Sequence, residues 1–240
     1  MFNEQIEYLS WDSDFFEKKI GRIYANQISN LDNILSEAQR ANYQLVYVFG
    51  DKDYFIDDNI LKRFSGHLAD RKVLYEKKTI GTKENLSFIS EYKEDGLVPE
   101  LEQLAYDSGK FSRFKRDKNF RKDDFYRMYK IWMENSVKKQ MADNIFVVIE
   151  NGIVKGMVTL KIKNEKGHIG LIAVSPDVHG KGYGKALINA CENKLFANGI
   201  LSIDVPTQAD NISACKFYEK CGFQLKDINN IYHFWILLMH

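Results

Sequence analysis

The chain has 240 residues, of which 45% are hydrophobic and 28% charged, and its formal net charge is +1. That balance excludes a disordered chain. Near-neutral charge also excludes a global field that would gather nucleic acid or an anionic membrane, so neither is expected as a partner.

Met1-Phe2-Asn3-Glu4-Gln5-Ile6-Glu7 has neither the basic region nor the apolar run of a signal peptide. The first half then alternates element types. Gly21 to Ile28 reads as a strand, Leu31 to Ala41 as a helix and Gln44 to Phe49 as a strand. Asn59 to Ala69 reads as a second helix and Lys72 to Lys77 as a third strand, which together predict a small α/β unit. A polar, turn-rich stretch from Lys78 to Asn85 follows, and two domains are expected, residues 1–82 and 83–240.

In the second half Leu86 to Tyr92 is a candidate strand, and Pro99 opens a helix that runs to Ser108. Phe125, Met128, Tyr129, Trp132 and Met133 recur at helical spacing and predict an amphipathic helix over Lys122 to Val137. Asn151-Gly152 predicts the turn of a hairpin between Ile145–Glu150 and Lys155–Lys163. Gly167 to Val174 is the next strand, Tyr183 to Asn198 a helix stopped by Gly199, and Ile200 to Val205 a strand. A helix over Asn211 to Cys221 and a hairpin over Phe223 to Leu238 complete the expected mixed α/β architecture. The terminal apolar run, Ile231 to Met239, contains His233 and is too short to span a bilayer. Three cysteines, Cys191, Cys215 and Cys221, fit reduced thiols in a cytoplasmic protein. Cys215 and Cys221 lack zinc-pair spacing, and no metal is expected.

The densest signal is Val174-Ser175-Pro176-Asp177-Val178-His179-Gly180-Lys181-Gly182-Tyr183-Gly184-Lys185. A strand end, a short loop and alternate glycines leading into a helix suit a phosphate cradle, because backbone N–H groups and the helix start present positive partial charge. A Walker A loop is excluded, since His179 stands where its first glycine belongs and Ala186 where its hydroxyl belongs. A dinucleotide fingerprint lacks its third glycine at Lys185, although Asp204, at the spacing of a ribose-binding acid, keeps that rival open. A glycine turn with no ligand also stays open on the loop alone.

His179-Gly180-Lys181-Gly182-Tyr183-Gly184 resembles the Gln/Arg-x-x-Gly-x-Gly/Ala motif of the GCN5-related N-acetyltransferases, with His179 in place of Gln or Arg. Asn211-Ile212-Ser213-Ala214-Cys215-Lys216-Phe217-Tyr218-Glu219-Lys220-Cys221-Gly222-Phe223 resembles the late helix of the same superfamily. The likeness covers residues 85 to 240. Three further segments resemble the bacterial sugar-nucleotide N-acetyltransferases, the dTDP-fucosamine (dTDP-4-amino-4,6-dideoxygalactose) group above all. They are Trp11 to Phe16, Ser108 to Asp117 and Trp132 to Ser136.

These resemblances imply an acetyltransferase fold, acetyl-CoA as cosubstrate and the amine of a nucleotide-linked deoxyamino sugar as acceptor, attacked directly in a ternary complex. They also imply cofactor contacts from Ile172, Ala173 and Val174, from the loop residues His179, Gly180, Lys181, Gly182, Tyr183, Gly184 and Lys185, and from Asn211. Near Val174 a backbone N–H would polarise the thioester, and Tyr218 would protonate the leaving thiolate. Asn211 is also a natural helix cap, and Tyr218 a natural packing residue. Arg113 and Lys115, in a cluster with Arg116 and Lys118, are candidate ligands for the acceptor's phosphates, a solvated basic loop being the alternative. His168, Glu165, Asp204 and His233 are candidate general bases. Another small amine, a protein N-terminus, or a module that binds acyl-CoA without chemistry are the alternatives for function. A homodimer is a possible assembly.

Overall fold

The computed structural model describes residues 6–27, 30–81 and 86–236. In chain order the elements are β1 (Glu7–Tyr8), α1 (Ser10–Phe16), β2 (Ile20–Tyr24), α2 (Leu31–Arg40), β3 (Leu45–Asp51) and α3 (Asp58–Arg63). Then come β4 (Gly66–Lys78), β5 (Ile89–Glu91), α4 (Pro99–Ser108), α5 (Arg113–Arg116) and α6 (Lys122–Val137). The remainder are β6 (Asn144–Glu150), β7 (Ile153–Lys163), β8 (Lys166–Val174), α7 (Tyr183–Ala197), β9 (Ser202–Gln208), α8 (Ile212–Lys220) and β10 (Gln224–Trp235). The mixed α/β class is as expected.

The chain divides into two compact units, Met1–Val73 with Ile228–His240, and Leu74–Asp227. The sequence suggests one cut, between residues 82 and 83; the units are drawn by two, which fall inside β4 and β10.

In the first unit β2 and β3 are parallel, with Ile20 opposite Leu45, and β10 runs antiparallel to β3, with Tyr232 opposite Val48. The crossover between β2 and β3 is α2, whose start is capped by Asn30 accepting from the Asn33 N–H at 3.0 Å. Leu31, Ile34, Leu35 and Ala38 recur at helical spacing and are buried. They join Ile23, Val46, Val48, Phe64, Tyr232 and Phe234 in one core.

The second unit orders its strands β4-β9-β8-β7-β6-β5. The Asn151-Gly152 hairpin forms as expected between β6 and β7, with both turn residues at positive φ (54° and 77°). α4 and α6 occupy the spans that proline and periodicity predict, and the start of α6 is closed by Asp124 accepting from the Arg121 N–H at 3.0 Å.

Two expectations fail. The helix expected over Asn59 to Ala69 ends at Arg63, because Ser65 adopts φ 52° and β4 begins at Gly66. The terminal hairpin is a single strand, β10; residues 237 and 238 lie outside the described residues. Smaller differences trim β2 at Tyr24, with Ile28 outside the described residues, and shorten the strand expected over Leu86 to Tyr92 to β5. Helices α1 and α5 have no counterpart in the sequence reading.

Candidate active site

The site lies in the second unit and starts from a change of partner along β8. At its beginning β8 pairs with β9 in parallel, Gly167 opposite Ile203 and His168 opposite Asp204. Among the described residues that pairing stops there, and the rest of β8 keeps only its antiparallel partner β7. The Ser175 N–H donates to the Lys155 carbonyl at 2.8 Å, and Ala173, opposite Met157, shares that phase of the ladder. Backbone groups alternate sides along an antiparallel strand, so Ile172 and Val174 turn their N–H and C=O groups away from β7. They face a cleft of about 470 Å³.

Ile172, Ala173 and Val174 form one wall of this cleft. Ser213, Ala214, Phe217 and Tyr218 of α8 form another, and Val178 to Lys185 supply a third, apart from Lys181. Every residue of the expected cofactor set lines the cleft except Lys181 and Asn211.

Gly180 and Gly182 hold φ of 82° and 81°, in the left-handed region that an L side chain rarely adopts. A Cβ at either position would meet nothing within 4 Å, so these glycines serve backbone shape rather than close approach within the protein. Gly184 is different: it has no positive φ, and its Cβ would stand 3.1 Å from Phe217 Cζ. It lets the first turn of α7 pack on α8. Gly182 is the N-cap of α7 and no side chain caps that end. The first N–H groups of a helix have no acceptor inside it, so this end offers backbone donors and the positive pole of the helix to an anion.

The remaining loop side chains support the cradle. His179 Nε2 lies 2.9 Å from the Val174 carbonyl, tying the loop back to the end of β8. Lys181 pairs with Glu150 at 2.7 Å, and that contact raises its pKa. Its ammonium is thereby engaged with Glu150, and Lys181 does not line the cleft.

Tyr218 is 4% exposed and still lines the cleft. Burial above all, with Cys215 and Cys221 nearby, pushes its phenol up from the ordinary value, so the hydroxyl stays neutral and remains a proton donor. Its ring stands 5.9 Å from that of Tyr75, whose hydroxyl donates to Glu219 at 2.9 Å. Asn211 caps α8, its Oδ1 accepting from the Ala214 N–H at 3.2 Å; its carboxamide nitrogen supplies further donors.

The basic cluster does not act as a block. Arg113 is half-buried with its guanidinium over the Phe114 ring. Lys115 donates to the Tyr126 hydroxyl at 2.8 Å and lies over the Phe125 and Tyr126 rings. Arg116 pairs with Asp210, which links α5 to the turn leading into α8. Neither Arg113 nor Lys115 lines the cleft.

The candidate bases fall elsewhere. His168 Nδ1 lies 2.8 Å from Asp204 Oδ1, and Lys166 reaches Asp204 and Glu76. This group sits where β8 and β9 pair, and six residues of strand, roughly 20 Å, separate His168 from Val174. Asp204 is engaged at that end, away from the glycine loop, which removes the ribose acid of a dinucleotide site. Glu165 sits in the turn before β8, and His233 belongs to the other unit. Sequence reasoning missed Phe217, Ser213, Ala214 and Val178 as walls; Phe217 could have been found as the neighbour of Tyr218 on the helix that faces the loop.

A strand that leaves its partner beside a glycine-opened helix start turns two sets of backbone donors toward one cleft. Residues 105–223 match the Acetyltransferase (GNAT) family. An acetyltransferase from Yersinia pestis is 28% identical over 122 residues, which cover 45% of this chain and 86% of that protein. Among solved structures, a GCN5-related N-acetyltransferase from Sphaerobacter thermophilus has a TM-score of 0.55 at 12% identity, covering 92% of this chain and 74% of that one. A conserved protein of unknown function from Staphylococcus epidermidis has a TM-score of 0.64 at 10% identity, covering 99% and 93%. The matched segment has the sequence of a GNAT-type acetyltransferase, and the chain is an acyltransferase enzyme. No helix among the described residues is long and apolar enough to cross a membrane.

Proposed function

We propose that the cleft takes acetyl-CoA and that the enzyme moves the acetyl group to the amine of a nucleotide-linked deoxyamino sugar, by direct attack in a ternary complex. One observation carries the acetyl-CoA reading: the unpaired edge of β8 and the hydroxyl-bearing Tyr218 line the same cleft, which the uncapped start of α7 also enters. The residues present fit the cosubstrate. Backbone N–H groups from Gly180 to Lys185 suit its pyrophosphate, the carboxamide of Asn211 suits its pantetheine amides, and the apolar walls at Ile172, Ala173 and Phe217 suit its arm.

Bound acetyl-CoA supplies an activated thioester. The backbone N–H of Val174 or Ile172 then stabilises charge on the carbonyl oxygen, an effect worth about 2.7–4 kcal/mol for a preorganised donor. Tyr218 donates its proton to the departing sulfur. A phenol of pKa about 10 is a weaker acid than a thiol of about 8.5, and burial weakens it further, so transfer occurs as charge builds on sulfur rather than afterwards.

The sugar-nucleotide acceptor rests on the resemblance of Ser108 to Asp117 and on the cations of α5. Arg116 anchors this segment to Asp210, Lys115 is held by Tyr126, and the half-buried Arg113, stacked on Phe114, is the cation whose substitution tests the reading. Thiol release measured with acetyl-CoA and a panel of nucleotide amino sugars tests the acceptor class. Arg113→Ala is expected to raise the acceptor KM and to leave acetyl-CoA affinity nearly intact. A rise in the acetyl-CoA Kd instead would assign the residue to the cosubstrate, and no change in either would make it a packing residue.

A further inference from the structure

The departure of β8 from β9 has a visible cause. From Gly156 opposite Val174 to Val158 opposite Ile172 the β7–β8 register is regular; it resumes with Leu160 opposite Ile169. One residue of β7, Thr159, therefore faces two of β8, Gly170 and Leu171. This is a β-bulge, which bends the strand that carries the extra residue and strengthens its twist. The bulge comes two residues after His168, the last residue of β8 paired with β9, and just before Ile172, the first whose backbone turns into the cleft.

A bulge leaves ladder groups in need of partners. Here the Leu171 N–H donates to the Thr159 hydroxyl at 2.8 Å, in a buried position. Thr159 is 4% exposed, so the hydroxyl stands in for a backbone carbonyl where water has little access. Gly170 makes room for it, since a Cβ there would stand 2.9 Å from Thr159 Oγ1. The pair forms a lock: a hydroxyl reaching from β7 and a missing side chain on β8.

We propose that Thr159, with Gly170, is a positioning residue for acetyl transfer: its hydroxyl fixes the bulge and thereby aims the Ile172 and Val174 N–H groups at the thioester carbonyl. The inference rests on the acetyl-CoA reading of the cleft. Thr159 touches no reacting atom; it acts through the backbone of β8.

The test uses the full chain and acetyl-CoA labelled with carbon-13 at the thioester carbonyl. Calorimetry gives the affinity, infrared spectroscopy the carbonyl stretch, and hydrogen exchange the protection of the Leu171 amide. Thr159→Val removes the hydroxyl and keeps the shape. It should leave the Kd nearly unchanged, expose the Leu171 amide to exchange, and return the carbonyl stretch toward its solution value. With an amine acceptor present, kcat should fall by about 10²-fold, the size of loss that a misplacement of about 1 Å produces. Thr159→Ser keeps a hydroxyl and should retain the wild-type stretch; if the valine variant fails to fold, Gly170→Ala, which crowds the hydroxyl, is to be compared with wild type by the same readouts. A normal stretch and kcat despite loss of Leu171 protection overturns the proposal, as does a serine variant that shifts as far as valine. Failure of wild-type protein to bind acetyl-CoA overturns the reading of the cleft itself, a distinct result.

Discussion

The two ends of β8 are built from one strand and do opposite things. At the closed end Gly167 and His168 pair with β9, and Lys166, His168, Asp204 and Glu76 are in polar contact with one another. At the open end Ile172 and Val174 face a cleft, beside a helix start that no side chain caps. The closed end is rich in titratable groups and would attract any search for acid–base residues. The open end presents backbone amides and one buried phenol to the cleft. In this fold, groups already satisfied by one another stabilise, and groups left to face the cleft are the ones a ligand can use.

The largest expected effect lies at the open end. Tyr218→Phe keeps the ring and removes the proton, so it should lower kcat by about 10²–10⁴-fold while both substrates still bind. The melting temperature should hardly move. A donor with a more acidic thiol should suffer less, because its sulfur leaves with less help. Burial raises the pKa of Tyr218, so its neutral form persists with rising pH, and kcat should show no alkaline limb from this residue below about pH 10. Near-normal kcat in the phenylalanine variant, measured where chemistry limits the rate, would make Tyr218 a packing residue and erase the contrast.

A second measurement separates backbone shape from space at the glycine loop. Gly182→Val places a β-branched side chain at φ 81°, which costs about 1–2 kcal/mol or more and distorts the N-cap of α7. The acetyl-CoA Kd should rise by about tenfold or more. Gly182→Asn should do far less harm, because asparagine tolerates the left-handed region and a Cβ there meets nothing within 4 Å. Equal losses in both variants would mean that the ligand, rather than φ, forbids a side chain. Unchanged calorimetric binding in folded Gly182→Val would remove the loop from the cofactor site.

The contrast between the ends also explains what could be read from the sequence. Local patterns were legible: the 3–4 spacing of Phe125, Met128, Tyr129 and Met133 gave α6, and Asn151-Gly152 gave its hairpin. Segments governed by distant partners were not. Gly66 opens β4 against the ring of Phe234, a distant residue from which a Cβ would stand only 2.3 Å away. The hairpin expected over Phe223 to Leu238 is instead one strand, in which buried Asn230 donates its amide to the carbonyls of Lys52 and Tyr54. The glycine loop and Tyr218 stood out as motifs. The open edge of β8 did not, because it depends on the register between β7 and β8, and Thr159 and Gly170 carry no local signal of facing each other.

The smallest expected effect is the most exposed to refutation. His168 is the most attractive base by residue type, and its contact with Asp204 looks like an oriented imidazole. Its side chain is 37% exposed, however, and the pair lies where β8 and β9 close, roughly 20 Å along the strand from Val174. A hydrogen bond between this half-exposed ring and the mostly buried Asp204 carboxylate contributes about 0.5–1.5 kcal/mol. His168→Gln keeps a polar group beside Asp204, so stability should shift within that range. Neither kcat nor the acid limb of the pH–rate profile should move, because the imidazole cannot reach an amine in the cleft. A large loss of kcat with stability and substrate affinities unchanged would show the closed end taking the proton and would reverse the division of labour along β8.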